Sequence, residues 1–210
     1  MIAAISFYLE HKQEVPFYLV CSKRLKGEDE FLPLSSLSEK SLLNHFKHKI
    51  ELKEEDLEIA SLVWELYCSN DPLKLKKQIK KTSNFEYLSS CMRAHIERFP
   101  NSRTGINSLE KNVLKLVKNH HITSYNQLLG YALQYQGYYG YSDSRMERVL
   151  EKLKIFYTME NDKLILTQAG IDVLEKKKNF YRDLINDEYY GGAKIYDFLY
   201  DSDSHKVLKL

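Results

Sequence analysis

Apolar residues recur every three or four positions through most of the chain, and this spacing predicts amphipathic helices. One such helix covers residues 2–12, and a second begins after Ser38, a residue suited to cap a helix. The apolar stripe of this second helix consists of Leu42, Leu43 and Phe46. Between the two helices, residues 17–21 form a continuous apolar run that predicts a buried strand.

Three more helices are predicted before residue 100. Residues 54–70 place their apolar side chains at helical spacing, and Asp71 and Pro72 are typical of the start of the next helix. A third helix ends at Pro100, since proline disfavours helical backbone in the residue before it. The apolar face of the first of these helices consists of Leu57, Ala60, Val63, Trp64 and Tyr67.

The second half of the chain shows a different order of elements. A helix starts at Asn107, which forms a capping box with Glu110, and two more helices follow at residues 123–135 and 142–154. Residues 155–167 then predict a hairpin that turns at Glu160, Asn161 and Asp162, and Thr167 caps a closing helix. We expect two apolar stripes to pack together, Leu109, Val113 and Leu116 against Met146, Val149, Leu150 and Leu153.

Three helices, a hairpin and a closing helix are the order of a winged-helix module. Gly170 would let the closing helix lie close to the hairpin, and a second hairpin is predicted around residues 202–204. The predicted fold is therefore mainly α with small β elements (α+β). Residues 1–100 form a helical lobe with one N-terminal strand, and residues 101–210 form a winged-helix-like lobe with a hairpin tail.

The strand at residues 17–21 poses a hydrogen-bonding problem. Buried backbone groups are almost always paired, and the neighbouring segments are predicted to be helical. We therefore expect its partner to be the tail strand near residues 193–199, the same strand of a second molecule, or sequence upstream. An exposed edge strand pairs readily with another chain, so self-association is an open possibility.

Composition narrows the class of protein. The 210 residues carry 31 Lys and Arg against 29 Asp and Glu, so the net charge of +2 does not by itself predict nucleic-acid binding. No apolar run is long enough to cross a bilayer, and the N-terminus lacks the features of a signal peptide. Three widely spaced cysteines favour reduced, mostly packed thiols. We therefore expect a cytoplasmic protein without membrane contact.

The segment "SSCMRAHIERFPNSRTGINSLEKNVL" resembles the second half of a bacterial family known only as a domain of unknown function. The residues that match are Arg93, His95, Phe99, Pro100, Gly105, Asn107 and Glu110, with Gly191, Gly192, Ala193 and Ile195 near the C-terminal end. The resemblance implies that an N-terminal α/β domain is absent here and that residues 17–21 are its remnant. It implies no activity, since the family has none to transfer.

Two groups of cations are candidate binding residues. Arg93, His95, Arg98 and Arg103 are close in sequence, and guanidinium groups beside an imidazole suit a phosphate or carboxylate. The alternative is that they form ion pairs with Glu97 or Glu110 and hold the two lobes together. The second group is an outward row on the third helix of the winged-helix-like lobe, Arg145, Arg148 and Lys152, which would suit nucleic-acid phosphates.

Two features weaken the nucleic-acid interpretation. Asp143, Glu147 and Glu151 alternate with the basic row, and Glu160 and Asp162 lie at the tip of the wing. Five tyrosines lie just before this helix. We expect core packing for Tyr131 and Tyr135, and cover of a seam between lobes for Tyr138, Tyr139 and Tyr141, rather than stacking on bases.

No motif in the sequence specifies a cofactor, a metal site or a reaction. The leading hypothesis is a non-catalytic interaction or regulatory module with an unknown protein partner. One alternative is a winged-helix protein that binds nucleic acid through Arg145, Arg148 and Lys152. Another is the remnant of an enzyme whose α/β domain is missing, with an anion site at Arg93 and His95.

Overall fold

Helices dominate the regular structure, and every strand joins a small antiparallel pair within the described part of the chain. The computed structural model describes residues 1–11, 15–20, 36–78 and 83–210. The prediction of a mainly α fold with small β elements is confirmed. The chain divides into two units, the first Met1–Glu65 with Thr82–Glu86 and the second Leu66–Lys81 with Tyr87–Leu210.

The first unit contains short helices and one pair of two-residue strands. Its elements are α1 (Ile2–Glu10), β1 (Tyr18–Leu19), α2 (Glu39–Lys47), β2 (Ile50–Glu51) and α3 (Glu54–Cys68), the last of which ends in the second unit. Its buried apolar residues are Ile5, Leu19, Leu52, Ala60, Val63 and Phe85. Asp56 is buried with them and accepts hydrogen bonds from the backbone of Lys53 and from Asn84, which compensates its burial.

The prediction about the partner of the first strand is wrong. Tyr18 pairs with Glu51 and Leu19 with Ile50, and the Leu52 amide donates to the Phe17 carbonyl over 2.9 Å. The two residues of β2, between α2 and α3, are too few to show a strand period in the sequence. The strand therefore finds its partner inside its own unit, and residue 21, its predicted end, lies outside the described residues.

The apolar stripe predicted for α2 is also wrong. The helix forms where expected, and the Ser38 side chain accepts from the Ser41 amide. However, Leu42, Leu43 and Phe46 are 42%, 54% and 55% exposed, and the buried residue of the helix is His45. Helix α2 therefore buries the His45 imidazole, and the apolar side chains of the predicted stripe face solvent in the described structure.

The second unit holds the larger core. Its helices are α4 (Pro72–Lys76), α5 (Leu88–Ile96), α6 (Ser108–Asn119), α7 (Tyr125–Gln134), α8 (Asp143–Lys152), α9 (Gln168–Leu174) and α10 (Tyr181–Leu184). Its strands form three antiparallel hairpins, β3 (Tyr157–Glu160) with β4 (Lys163–Leu166), β5 (Tyr189–Tyr190) with β6 (Ala193–Lys194), and β7 (Phe198–Asp201) with β8 (Lys206–Lys209).

Helices α6, α7 and α8, the β3–β4 hairpin and α9 form the predicted winged-helix-like arrangement. The three helices pack in sequence order, and α6 also contacts β4 and α9. The Leu164 amide donates to the Ile122 carbonyl over 2.8 Å, which ties the hairpin to the loop between α6 and α7. The shared core includes Leu109, Val113, Met146, Leu150 and Leu153, all fully or almost fully buried. Leu116 and Val149, from the two predicted stripes, are partly buried beside it.

Backbone geometry explains two local features of this arrangement. Asn161 and Asp162 have φ values of 46° and 57°, which a two-residue hairpin turn requires and which asparagine and aspartate tolerate. A Cβ on Gly170 would lie 2.1 Å from the carbonyl oxygen of Phe156, the residue before β3. Gly170 therefore permits the close packing of α9 that the sequence predicts.

The tail packs back on the connection between α5 and α6. Tyr200 in β7 donates its amide to the Pro100 carbonyl over 2.7 Å and accepts from the Ser102 amide over 2.9 Å. Phe198 packs edge-on to Phe99, with ring centroids 5.6 Å apart. The predicted second hairpin is present, with Asp201 opposite Lys206.

The division into units falls at different residues from the boundary predicted at residue 100. Residues 66–78 and 87–100 belong to the second unit together with the winged-helix-like arrangement. One reason is that the Tyr67 carbonyl accepts a hydrogen bond from the Gly192 amide over 3.0 Å. Across the four described ranges, no helix has the length and apolar character needed to cross a membrane.

Replacing Leu150 with alanine should lower the free energy of unfolding by about 2–5 kcal/mol, because it leaves a cavity in a fully buried site. Ile155 is 51% exposed, so Ile155→Ala should change the stability much less. Chemical denaturation of both variants checks the expectation. Equal denaturation midpoints for Leu150→Ala and the unmodified protein would remove Leu150 from the core.

Candidate functional site

A cavity of about 250 Å³ lies within the second unit, between α8, the connection of α5 to α6, and the tail around β5 and β6. Its cationic side chains are Arg98, Arg145, Arg148 and Lys152. Its aromatic walls are formed by Tyr141, Tyr189, Tyr190 and Tyr196, and its carboxylates belong to Glu110 and Glu188. The cavity therefore collects cations from both groups that the sequence singles out.

A buried ion pair lies on one side of this cavity. The Lys152 Nζ donates to Glu110 Oε1 over 2.6 Å, and the side chains are 25% and 3% exposed. Glu110 Oε2 also accepts from the Asn107 amide over 2.8 Å, while Asn107 Oδ1 accepts from the Glu110 amide over 2.9 Å. The predicted capping box is confirmed, and its carboxylate also joins α6 to α8.

The ion pair fixes the charge of Lys152. Burial by itself lowers the pKa of this amine, but the adjoining Glu110 carboxylate and the nearby Tyr196 hydroxyl outweigh burial and raise it above its ordinary value. Lys152 is therefore an ammonium group at neutral pH, and Glu110 already occupies part of its hydrogen-bonding capacity.

Two guanidinium groups share the same pair of tyrosine rings. The Arg98 Cζ lies 4.9 Å from the Tyr141 ring centroid and 5.9 Å from that of Tyr190. The Arg145 Cζ lies 5.1 Å and 5.6 Å from the same two centroids. These distances are those of cation–π contacts, which hold both arginines at the cavity.

The arginines of the cavity lack a carboxylate partner. Among the described residues, Arg98, Arg145 and Arg148 make no ion pair with any aspartate or glutamate. Arg98 donates one Nη2 hydrogen bond to the Tyr139 carbonyl, an uncharged acceptor. Three positive charges thus converge without a direct carboxylate partner, and the Glu188 carboxylate in the lining offsets only one of them, which suits an anionic ligand.

Two polar atoms at the cavity are buried without a hydrogen-bond partner in the described structure. They are Nε of Arg98 and the hydroxyl of Tyr196, a residue only 3% exposed, whose oxygen lies near the Lys152 amine outside good hydrogen-bond geometry and whose proton has no acceptor among the described residues. Most buried polar groups in proteins are paired, so unpaired groups that line a cavity suggest a place for a ligand or a solvent molecule. Both groups can donate to an anion.

Two glycines let the tail hairpin lie against the end of α3. A Cβ on Gly192 would lie 1.9 Å from the Cys68 carbonyl oxygen, and one on Gly191 would lie 2.1 Å from that of Tyr67. Gly191 also has a φ of 62°, which favours glycine. Only residues without a side chain let this hairpin approach the end of α3 so closely, and the approach places Tyr190 and Tyr196 in the cavity wall.

The four residues of the first predicted anion site have different environments. Arg93 is exposed on α5, and Arg103 is exposed and paired with Asp203. His95 is buried, and only Arg98 lines the cavity. The structure therefore does not bring these four side chains together around one ligand. Close spacing in sequence was misleading because Arg93 and His95, two residues apart, lie on different faces of α5.

His95 lies in an aromatic cluster. Its ring centroid is 5.1 Å from that of Tyr67, 6.0 Å from that of Phe99 and 6.2 Å from that of Tyr190. Burial, assisted by the charge of Arg98, lowers the pKa of His95 to about 4. The imidazole is therefore neutral at pH 7 and does not act there as a cationic ligand.

The second predicted group is the basic row of α8. Its side chains lie close together, but they line a cavity and do not form a free helix face. Arg145, Arg148 and Lys152 all line it, with Lys152 turned inwards. The adjoining face of α8 borders a shallow depression with mixed charge, lined by Glu147, Glu151 and Lys154, and Arg148 lies between this depression and the cavity.

The tyrosines before α8 divide into two sets. Tyr139 and Tyr141 are buried in the core of the second unit, whereas Tyr135 and Tyr138 are more than half exposed. The predicted core packing is therefore wrong for Tyr135, whose ring stacks on that of Tyr131 at the surface with centroids 6.1 Å apart. A pair of tyrosines four residues apart in a helix does not by itself show which ring is buried.

Sequence reasoning missed Tyr141, Tyr190 and Tyr196 as site residues. The one available signal was the Gly191–Gly192 pair, which indicates a close backbone approach without naming the partner. In the described ranges, no group of three or more His, Cys, Asp or Glu residues is placed to hold a metal ion. The described cysteines, Cys68 and Cys91, are free and exposed, not packed as expected.

No protein-family model, no curated protein and no solved structure matches this chain. The resemblance to an uncharacterised bacterial family therefore stays a prediction.

Acid should destabilise the protein through His95. Above pH 6.5 the imidazole is neutral in both the folded and the unfolded protein. Between pH 6.5 and about 4, the imidazole of the unfolded chain binds a proton, whereas that of the folded chain does not. Stability contributed by this group is lost as the pH falls through that window, by up to about 3 kcal/mol. His95→Leu should flatten this part of the curve of unfolding free energy against pH. An unchanged slope in the variant would contradict the neutral buried imidazole.

Removing one partner of the buried ion pair should cost more than removing one partner of an exposed pair. Glu110→Gln keeps an oxygen for the Asn107 amide but leaves the Lys152 ammonium without its carboxylate, so the free energy of unfolding should fall by about 1–3 kcal/mol. The double variant Glu110→Gln with Lys152→Met should recover part of the lost free energy of unfolding, because it also removes the uncompensated charge.

The matched control is Glu151→Gln, which breaks the exposed pair of Glu151 with Lys154. This change should cost less than about 1 kcal/mol. Urea denaturation of the three variants measures the differences, and equal losses for Glu110→Gln and Glu151→Gln would contradict the role given to Glu110.

Proposed function

We propose that this protein is a non-catalytic binding module whose second unit takes an anionic group of a partner into the cavity beside α8. The observation that carries the proposal is the convergence of Arg98, Arg145 and Arg148 without a carboxylate partner among the described residues. Like charges held close together repel, and a bound anion would replace this repulsion with attraction.

The chemistry of the cavity suits holding an anion. Guanidinium groups present several donors in a fixed plane, and the tyrosine rings limit the positions they adopt. His95, the predicted residue best suited to acid–base chemistry, is buried and neutral. These features support recognition rather than a reaction, and they give no support to the enzyme-remnant hypothesis with its site at Arg93 and His95.

Duplex readout by α8 has weaker support. Residues 186–196 of the tail lie on the cavity side of this helix, where a major groove would have to approach the basic row. On its adjoining face Glu147 and Glu151 interrupt the positive charge, and Glu160 and Asp162 are exposed at the hairpin tip. Phosphate neutralisation usually supplies much of DNA affinity, and this surface offers little of it.

The partner itself is proposed only by its chemistry, as a molecule that presents an anionic group. Self-association through β1 was proposed because this strand had no partner in the sequence prediction. That reason no longer applies, because β2 pairs with β1. A cytoplasmic location stays a prediction of the sequence.

The test is anion binding by a protein that lacks two of the charges. Inorganic phosphate or citrate, added in a chloride buffer, should raise the melting temperature of the unmodified protein, since a ligand that binds only the folded state stabilises it. Arg145→Gln with Arg148→Gln should abolish most of this shift. Lys115→Gln with Lys118→Gln, on the exposed face of α6, removes the same charge away from the cavity and should leave the shift unchanged.

Equal melting shifts in both double variants would contradict the proposal, because the anions would then act on the whole surface. A gel-shift titration with a DNA duplex across salt concentrations completes the test. Strong binding that both decreases steeply with salt and depends on Arg145 and Arg148 would favour the nucleic-acid alternative instead.

A further inference from the structure

The charges around the cavity are unequal. Four cations, Arg98, Arg145, Arg148 and Lys152, line it with two carboxylates, those of Glu110 and Glu188. The carboxylate of Glu110 is committed to Lys152, and Glu188 is an exposed residue of the tail. The lining therefore carries an excess of two positive charges. A carboxylate ligand would neutralise one of them, whereas a doubly charged anion would neutralise both.

The hydrogen-bond donors also outnumber what a carboxylate accepts well. Arg98 Nε and the proton of the Tyr196 hydroxyl are buried without an acceptor in the described structure, and the guanidinium N–H groups of Arg145 and Arg148 add further donors. A carboxylate has two oxygens, while a phosphate monoester has three terminal oxygens and carries about −1.5 to −2 charges near pH 7. The donor set thus matches phosphate better in number as well as in charge.

The size of the cavity limits the ligand to a group rather than a whole cofactor. Its volume of about 250 Å³ is below the roughly 300–1,000 Å³ of sites that enclose drug-sized molecules. Val149 and Ile195 add apolar wall beside the tyrosine rings. There is room for a phosphoryl group and the apolar part of the ester that carries it.

We infer that the anionic group is a phosphate monoester, held by the guanidinium groups of Arg98, Arg145 and Arg148 with the Tyr196 hydroxyl as a buried donor. The inference rests on the proposed function and specifies its ligand. Lys152 stays paired with Glu110, so the positive charge that faces the ligand comes from the arginines. The monoester is carried either by a small molecule or by a phosphorylated side chain of a protein, and the two share the same recognition chemistry.

The experiment compares three probes that share one ring and differ in their anionic group: phenyl phosphate, phenyl sulfate and benzoate. Calorimetric titration of the full chain, in chloride buffer free of phosphate and sulfate, measures each affinity at pH 7.5. Phenyl sulfate has nearly the shape of phenyl phosphate but a single charge, so we expect phenyl phosphate to bind about tenfold or more tightly than either other probe.

Tyr196→Phe tests the buried donor with little change in packing. We expect it to weaken phenyl phosphate about tenfold, as the loss of a hydrogen bond to a charged group would. Tyr135→Phe, at the exposed tyrosine that follows α7 and lies outside the cavity lining, is the control and should not change the affinity. Thermal unfolding of both variants, followed by circular dichroism, establishes that they are folded.

Each outcome has a distinct meaning. Similar affinities for the three probes, lost in Arg145→Gln with Arg148→Gln, would overturn the phosphate inference and leave the proposed anion-binding function standing. No binding of any probe would overturn both. Phosphate selectivity that Tyr196→Phe leaves unchanged would overturn the role given to Tyr196.

A final comparison distinguishes the two sources of the monoester. Short peptides that contain phosphotyrosine or phosphoserine are titrated beside phenyl phosphate. A peptide that binds more tightly than the free ester, and whose binding depends on Arg145 and Arg148, indicates a phosphorylated protein partner. Equal affinity indicates a small phosphate ester. Tight binding of the unphosphorylated peptides would contradict the inference.

Discussion

The second unit is organised around one buried carboxylate. Glu110 is only 2% exposed, and it satisfies the N-terminus of α6 through the Asn107 amide while neutralising Lys152 of α8. A buried charge is tolerated only when its partners are in place, so the Glu110–Lys152 pair fixes the orientation of α8 relative to α6. In this orientation Lys152 points inwards and the arginines of α8 lie beside the tail.

The tail converts this surface of α8 into a cavity. In a winged-helix arrangement the third helix usually presents its outer face to a groove of DNA. Here the hairpin of β5 and β6 lies alongside that helix, and Tyr190 contributes a ring to both Arg98 and Arg145. The order of elements therefore does not by itself assign DNA binding to this helix, since function resides in sites and not in the fold.

Local rules in the sequence predicted the elements of the second unit, because capping residues, helical spacing and turn chemistry act over a few residues. The Asn107 capping box and the Asn161–Asp162 turn illustrate this. The cavity was not predictable in the same way, because Arg98 and Tyr196 are far apart in sequence and periodicity does not specify which segments meet. The β1–β2 pair was missed for the opposite reason, since two residues are too few to show a period.

The position of the tail also has a consequence for how the protein is synthesised. Phe99, among the most deeply buried residues of the second unit, packs against Phe198, and Pro100 accepts a hydrogen bond from Tyr200. On the ribosome, the segment around Phe99 therefore emerges about a hundred residues before Phe198. Until residues 186–200 have left the exit tunnel, the apolar surface that the tail covers stays exposed, and a chaperone that binds hydrophobic segments would find its substrate there.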